Sequence, residues 1–265
     1  AASKTENAEV YKRLLVAIDG SDLAESILPY ALGISRATGS QLTLVRIVDD
    51  DDAHRAQASG YVDALAARLQ VEGRCVSAGG DVASALLAEA ARMPGTLVAM
   101  TTHGRSGVLG AVLGSVAMKV LRGGHAPVLL YRPHERFTGD PGEPIKISRV
   151  VAPMDGTPSA ESIGSQAGEL ARWLGARLVV ISVLGSRAQA AAGAPVGDLS
   201  EASYVRTRAA SLGKQHGVEY SWEVLHGDEP DQAIADFVGH DRGTMLAMVT
   251  RANQAPVTAA LLGSV

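Results

Sequence analysis

The sequence predicts an α/β fold of two tandem, doubly wound parallel sheets. Short apolar segments alternate along the chain with segments of helical periodicity, an order typical of a parallel sheet with crossover helices. The pattern also restarts late in the chain, where Val150–Asp155 repeats the segment that ends at Asp19. A length of 265 residues suits two domains better than one.

In the first half we expect five strands, at residues 12–18, 41–48, 74–78, 96–101 and 127–131. Ser21 should cap the first helix, whose apolar spacing continues past Pro29, so that a kink is expected there. The second helix follows the aspartates 49–52 and should turn five side chains inward: Ala56, Val62, Leu65, Ala66 and Leu69. Two further helices are expected, from about Gly80 to Arg92 and from Ser115 to Arg122.

The Pro-, Gly- and charge-rich segment 132–147 is interpreted as a linker between domains at 1–138 and 139–265. In the second half, residues 175–184 and 245–250 repeat the second and fourth strands, and His226–Asp228 begins the third helix. We expect 189–199 to be a mobile loop and 251–262 to be a loop without glycine. The last helix and strand of the repeat are expected to be missing.

Composition excludes several classes of protein. With 24 basic and 28 acidic side chains and no basic block, nucleic acid is not expected as a partner. No apolar run is long enough to span a membrane, and no signal peptide is seen, so we expect a soluble cytoplasmic protein. The single cysteine, Cys75, is expected to be a buried thiol.

The most informative segment is the loop that follows the strand 96–101. It has glycines at 104, 107, 110 and 114 and leads into a helix at Ser115. Glycine lets the backbone approach a ligand closely, and a helix start favours an anion. The segment therefore indicates either a phosphate cradle or a long connecting loop, and loops of this length are uncommon unless functional.

The string Thr101-x2-Gly104-x9-Gly114-Ser115 resembles the signature of the universal stress protein family, Gly-x2-Gly-x9-Gly-[Ser/Thr]. Thr101 stands in place of the first glycine. The resemblance implies two Rossmann-like, adenine-nucleotide-binding domains that bind ATP, with or without Mg²⁺. It also implies a regulatory role in the stress response with little or no turnover, and pairing as a homo-oligomer or as an intramolecular pseudo-dimer.

The cradle and the resemblance together assign the ATP site to eleven residues: Ala17, Ile18, Asp19, Ile47, Met100, Thr101, Gly104, Arg105, Gly114, Ser115 and Val116. The same positions in the second half give a second candidate site: Pro153, Met154, Asp155, Val183, Gly263, Ser264 and Val265. This second site could still hold an adenosine or a smaller anion. We predict no catalytic residue and no dedicated metal site.

Several alternatives remain open at this stage. Asp19 and Asp155 could bind ribose hydroxyls or a metal ion, or could only stabilise a turn. Arg105 could reach a phosphate or lie in solvent, and the aspartates 49–52 could cap a helix or hold a divalent cation. Two other functions compete with ATP binding: a dimerisation scaffold with degenerate sites, and a slow ATP hydrolase, against which the absence of recognisable catalytic motifs weighs.

Overall fold

The structure, a computed structural model, describes residues 11–49, 52–102, 113–123, 127–132, 139–185, 194–239, 241–250 and 257–262. The elements of the first half are β1 (Arg13–Ala17), α1 (Asp22–Glu25), α2 (Leu28–Thr38), β2 (Gln41–Val48), α3 (Asp52–Leu69), β3 (Glu72–Ser77), α4 (Val82–Ala91), β4 (Thr96–Thr101), α5 (Ser115–Gly123) and β5 (Val128–Tyr131). Those of the second half are β6 (Arg149–Pro153), α6 (Pro158–Leu174), β7 (Arg177–Leu184), α7 (Ala194–His216), β8 (Tyr220–His226), α8 (Pro230–Val238), β9 (Thr244–Thr250) and β10 (Val257–Leu262).

The described strands form one ten-stranded sheet in the order β3-β2-β1-β4-β5-β10-β9-β6-β7-β8. Strands β1 to β5 are parallel to one another, and so are β6 to β9, which confirms the predicted pair of parallel α/β domains. Strand β10 joins the halves, because it is parallel to β5 and antiparallel to β9.

Alternate residues of the strands face two different cores. Leu14 and Val16 of β1, with Ile18 just after it, belong to a cluster that continues through β6 and α6 into the second half. Leu15, on the opposite face of β1, belongs to a cluster that is confined to the first half. The second half has its own cluster on that face. The core on one face of the sheet therefore contains residues of both halves, whereas on the other face each half has a core of its own.

The predicted kink at Pro29 is a break between two helices. Helix α1 ends at Glu25, and Pro29 lies in the first turn of α2, where its missing N–H removes no helical hydrogen bond. Ser21 caps α1, since its hydroxyl accepts a hydrogen bond from the N–H of Ala24 at 3.2 Å. The apolar residues of α2 pack into the core that both halves share, and the apolar spacing extends back to Ala24 of α1, which lines a cavity.

Four other expectations are wrong in part. Residues 257–262 form strand β10 and not a loop, and residues 194–199 form the first turns of α7. Ala56 is exposed on α3, where Ala58 is buried in its place. Cys75 is only half-buried, because it lies on β3 at the edge of the sheet. Pairing with β5 and β9 explains β10, and only tertiary structure supplies those partners.

Candidate functional site

A cavity of about 330 Å³ lies at the carboxyl ends of the first-half strands. Every predicted ATP-site residue that the structure describes lines this cavity: Ala17, Ile18, Asp19, Ile47, Met100, Thr101, Gly114, Ser115 and Val116. Gly104 and Arg105 lie outside the described residues, as does His103. The sheet and the start of α5 therefore bring together positions that are far apart in the sequence.

Sequence reasoning missed the apolar walls of this cavity. Val45 and Leu86 form part of one core cluster, and with Val82 and Ala117 they give the cavity an aliphatic lining. Ala24 of α1 and Thr102 complete the list of lining residues that were not predicted. A periodic pattern alone marks all such residues as core, so no signal in the sequence separates cavity walls from packed interior.

Asp19 holds the turn at the end of β1. Its Oδ1 accepts hydrogen bonds from the Ser21 N–H at 3.0 Å and from the Ser21 hydroxyl at 2.6 Å. This is the Asx-turn arrangement, one of the two alternatives left open by the sequence. The turn also presents Asp19 to the cavity, so that the structural role does not exclude a binding role.

The start of α5 has a defined hydrogen-bonding pattern. The Gly114 carbonyl accepts from the N–H of Met118 at 2.9 Å, while the Gly114 N–H donates to the Thr102 carbonyl at 2.8 Å. Gly114 therefore uses its own N–H within the protein. The N–H groups of Ser115, Val116 and Ala117 are those that a helix start leaves without an intrahelical acceptor.

An ion pair links two walls of the cavity. Asp81 caps α4, next to Val82, and its carboxylate accepts a hydrogen bond from Lys119 of α5 at 2.8 Å. This bond from Lys119, together with hydrogen bonds from Ser84, lowers the pKa of Asp81 to about 2. Asp81 therefore stays ionised near neutral pH and holds the Lys119 side chain of α5.

A second polar cluster stands behind the Asp19 turn. The Tyr61 hydroxyl of α3 donates to Glu25 of α1, and the guanidinium of Arg46 lies 5.3 Å from the centre of the Tyr61 ring. Burial and the bond to Glu25 raise the pKa of Tyr61 well above its usual range. The same bond recurs between Tyr204 and Glu161 in the second half. Glu25 follows Asp19 by the same number of residues as Glu161 follows Asp155, so the repeat in the sequence could have indicated this bond.

A second cavity, of about 350 Å³, occupies the equivalent place in the second half. Its lining includes Pro153, Met154, Asp155 and Val183, four of the predicted residues. Gly263, Ser264 and Val265 lie outside the described residues. Asp155 Oδ1 accepts from the N–H of Thr157 at 3.0 Å and from its hydroxyl at 2.6 Å, which repeats the Asp19 turn.

Two further observations concern the part of the chain that the structure describes. It contains no group of three or more His, Cys, Asp or Glu side chains that could hold a metal ion, although Asp50 and Asp51 are outside it. Among its helices, none is long and apolar enough to cross a membrane.

The fold and the two cavities define a tandem α/β protein with sites at the carboxyl edge of its parallel strands. The sequence model of the universal stress protein family matches residues 10–132 and again residues 146–265. The chain therefore belongs to the universal stress protein family and contains two copies of its domain. This confirms the resemblance found in the sequence.

Individual relatives agree with this assignment. A universal stress protein of Methanocaldococcus jannaschii is 23% identical over 141 residues, which cover 46% of this chain and 83% of that protein. Among solved structures, a universal stress protein from Archaeoglobus fulgidus matches with a TM-score of 0.59 and 16% identity, covering 96% of this chain and 99% of its own. One from Pseudomonas aeruginosa matches with a TM-score of 0.58 and 18% identity, covering 96% and 94%. At these identities the two structures support the tandem fold alone.

Proposed function

We propose that the first half of the protein binds ATP in the 330 Å³ cavity and acts as a regulatory, stress-associated protein with little or no turnover. The observation that carries the proposal is the convergence of an aliphatic pocket, the Asp19 carboxylate and the start of α5 in one cavity. An aliphatic pocket suits a purine ring, a carboxylate can accept hydrogen bonds from ribose hydroxyls, and a helix start attracts phosphate.

The same lining supports low turnover. Among the described residues that line the cavity, Asp19 is the one side chain that ionises, and it already accepts two hydrogen bonds from Ser21. A general base must lie within hydrogen-bond reach of the attacking water, and a group committed to a turn is poorly suited to that task. ATP hydrolysis is therefore expected to stay slow with or without Mg²⁺, as a steady-state phosphate-release assay would show.

Gly114→Val tests the binding site. Valine at this position would add a branched side chain to the cavity wall and would replace a residue well suited to precede a helix with one that is not. We expect ATP affinity, measured by isothermal titration calorimetry, to fall about tenfold, equivalent to about 1.4 kcal/mol. Gly60→Val on α3 is the control, because nothing lies within 4 Å of where its Cβ would stand.

Native mass spectrometry of the freshly purified protein provides an independent readout. A retained adenine nucleotide, lost in the Gly114→Val variant and kept in Gly60→Val, would support the proposal. Equal ATP affinity in both variants would contradict the site. A wild-type protein that binds no ATP would contradict the function and would favour the dimerisation scaffold.

A further inference from the structure

The second cavity keeps the shape of the first at equivalent positions. The strand register shows which positions are equivalent. In the first half Arg13 pairs with Gln41 and Thr96, and in the second half Arg149 pairs with Arg177 and Thr244 in the same way. Equivalent pairs that line both cavities are Ala17 and Pro153, Ile18 and Met154, Asp19 and Asp155, Ala24 and Ala160, Ile47 and Val183, and Met100 and Met248. The volumes, about 330 and 350 Å³, are nearly equal.

The backbone that could meet phosphates differs between the halves. In the first half, the start of α5 lines the cavity. In the second half, residues 257–262 fall where the sequence repeat places the glycine-rich loop, and they form β10. This strand is paired with β5 on one side and with β9 on the other. Residues 259–262 have partners on both sides, so their N–H groups serve the sheet and are not available to an anion.

The helix start at the second cavity also lacks the features that attract an anion. Pro230, which lines the cavity, lies in the first turn of α8 and has no N–H to donate. Glu229 precedes it as the N-cap and Asp231 follows in the first turn. These carboxylates oppose the positive end of the helix dipole. Within the described part of the chain neither has an ion-pair partner, whereas Asp81 at the first cavity is paired with Lys119.

The charge next to one wall differs between the halves as well. Ser182 lines the second cavity and is buried, and its hydroxyl donates to the carboxylate of Glu201 of α7. The equivalent first-half residue is Arg46, a cation that lies over the Tyr61 ring between the lining residues Val45 and Ile47. Burial raises the pKa of the Tyr204 hydroxyl, the N–H of Gly156 opposes this, and Glu201 and Asp155 raise it further. Glu201 therefore lies directly behind the Ser182 wall, while Asp155 lines the second cavity itself.

We propose that the second cavity binds a nucleoside without phosphates and excludes nucleotides, so that the two halves of one chain recognise different ligands. The aliphatic lining and Asp155 supply a ring pocket and an acceptor for sugar hydroxyls, while the surrounding carboxylates repel a phosphate. The choice of a purine nucleoside, adenosine, rests on the proposed function of the first cavity. The exclusion of phosphate rests on the charges and the backbone of the second half and not on the function of the first cavity.

Methionine methyl groups report on each cavity separately in the unmodified chain. Met100 lines the first cavity, and Met154 and Met248 line the second. We would titrate full-length protein, labelled with ¹³C at the methionine methyl groups and assigned by Met→Leu variants, with adenosine and with ATP. Adenosine should shift the Met154 and Met248 signals, whereas ATP should shift Met100 and reach the second cavity with at least about tenfold lower affinity.

A charge variant tests the cause of the exclusion. Removal of three carboxylates with Glu201→Gln, Glu229→Gln and Asp231→Asn should increase ATP affinity at Met248 about threefold or more, with a larger gain at low salt. Asp63→Asn, an exposed change on α3, is the control. Adenosine that leaves Met154 and Met248 unchanged, or ATP that shifts them at the same concentration as adenosine, would overturn the proposal. If ATP did not shift the Met100 signal while adenosine still shifted those of Met154 and Met248, the proposed function of the first cavity would be overturned and this inference would stand.

Discussion

Asp19 and Asp155 make the same turn at the ends of β1 and β6. Each carboxylate accepts hydrogen bonds from the N–H and the hydroxyl of the residue two positions later, Ser21 in one half and Thr157 in the other. Each also lines a cavity. The two residues therefore have equal structural roles, and a difference between their effects on ATP binding would report a binding role.

Asp19→Ala and Asp155→Ala form a matched pair of variants. Both should lower the free energy of unfolding by about 1 kcal/mol, because each removes the acceptor of two turn hydrogen bonds. Only Asp19→Ala should weaken ATP binding, by about tenfold. Urea unfolding would measure the first effect and calorimetry the second. An equal loss of ATP affinity in the two variants would show that ATP does not prefer the first half.

At the scale of elements, one histidine of α7 packs tightly against α6. His216 is 8% exposed at the end of α7, and a Cβ on Gly168 of α6 would overlap its ring. Its Nε2 is buried and has no hydrogen-bond partner in the described residues. Burial lowers the pKa of His216, Glu169 of α6 opposes this, and Arg172 of α6 lowers it further.

This histidine predicts a loss of stability in acid. Because its pKa is lower in the folded state than its usual value of 6.5, the unfolded chain takes up the proton first. The contribution of His216 is therefore complete above this value and is lost as the pH falls below it, by at most about 1.4 kcal/mol per pH unit. His216→Gln should flatten the pH dependence of urea unfolding below pH 6.5.

The exposed His54 on α3 provides the control for that measurement. His54→Gln should leave the wild-type slope in place. If His216→Gln kept the slope as well, the acid sensitivity would come from other groups and the prediction would be wrong.

The strands and helices of the first half were predictable because their signals are local. Thr96–Thr101 and Gln41–Val48 are continuous apolar or alternating runs, and the structure has both strands with these bounds. The break before Pro29 was only partly predictable, since the apolar spacing continues through it. Strand β10 was not predictable, because its partners β5 and β9 are supplied by tertiary structure.

The candidate site was likewise predictable only in part. The strand ends and Gly114–Val116 were found from the sequence because glycine spacing and strand ends are visible there. The aliphatic walls, such as Leu86 and Val45, were not found, since a buried residue beside a cavity has the same pattern as one in a packed core. The use of the Gly114 N–H by Thr102 was also invisible, because it depends on how the loop returns to the end of β4.

At the scale of the molecule, the two halves are joined by one sheet and one shared core. The cluster on one face contains Tyr30 and Leu14 from the first half together with Trp173 and Leu178 from the second. The Tyr11 ring meets Trp173 edge-on at 5.1 Å between ring centres. The halves therefore form a pair within one chain, while each cavity opens at the carboxyl ends of the strands of its own half.

The asymmetry of this pair predicts the stoichiometry of ATP binding. The first cavity includes the start of α5, with the N–H groups of Ser115 to Ala117 near its lining. In the second half, residues 257–262 pair with β9 as strand β10, residues 259–262 also pair with β5, and Pro230 removes an N–H from the start of α8. We therefore expect one ATP per chain at moderate ATP concentration. Native mass spectrometry and calorimetry should agree on this number, and Asp155→Ala should leave it unchanged. Two equivalent ATP molecules per chain would mean that backbone donors in the sheet do not decide where the triphosphate binds.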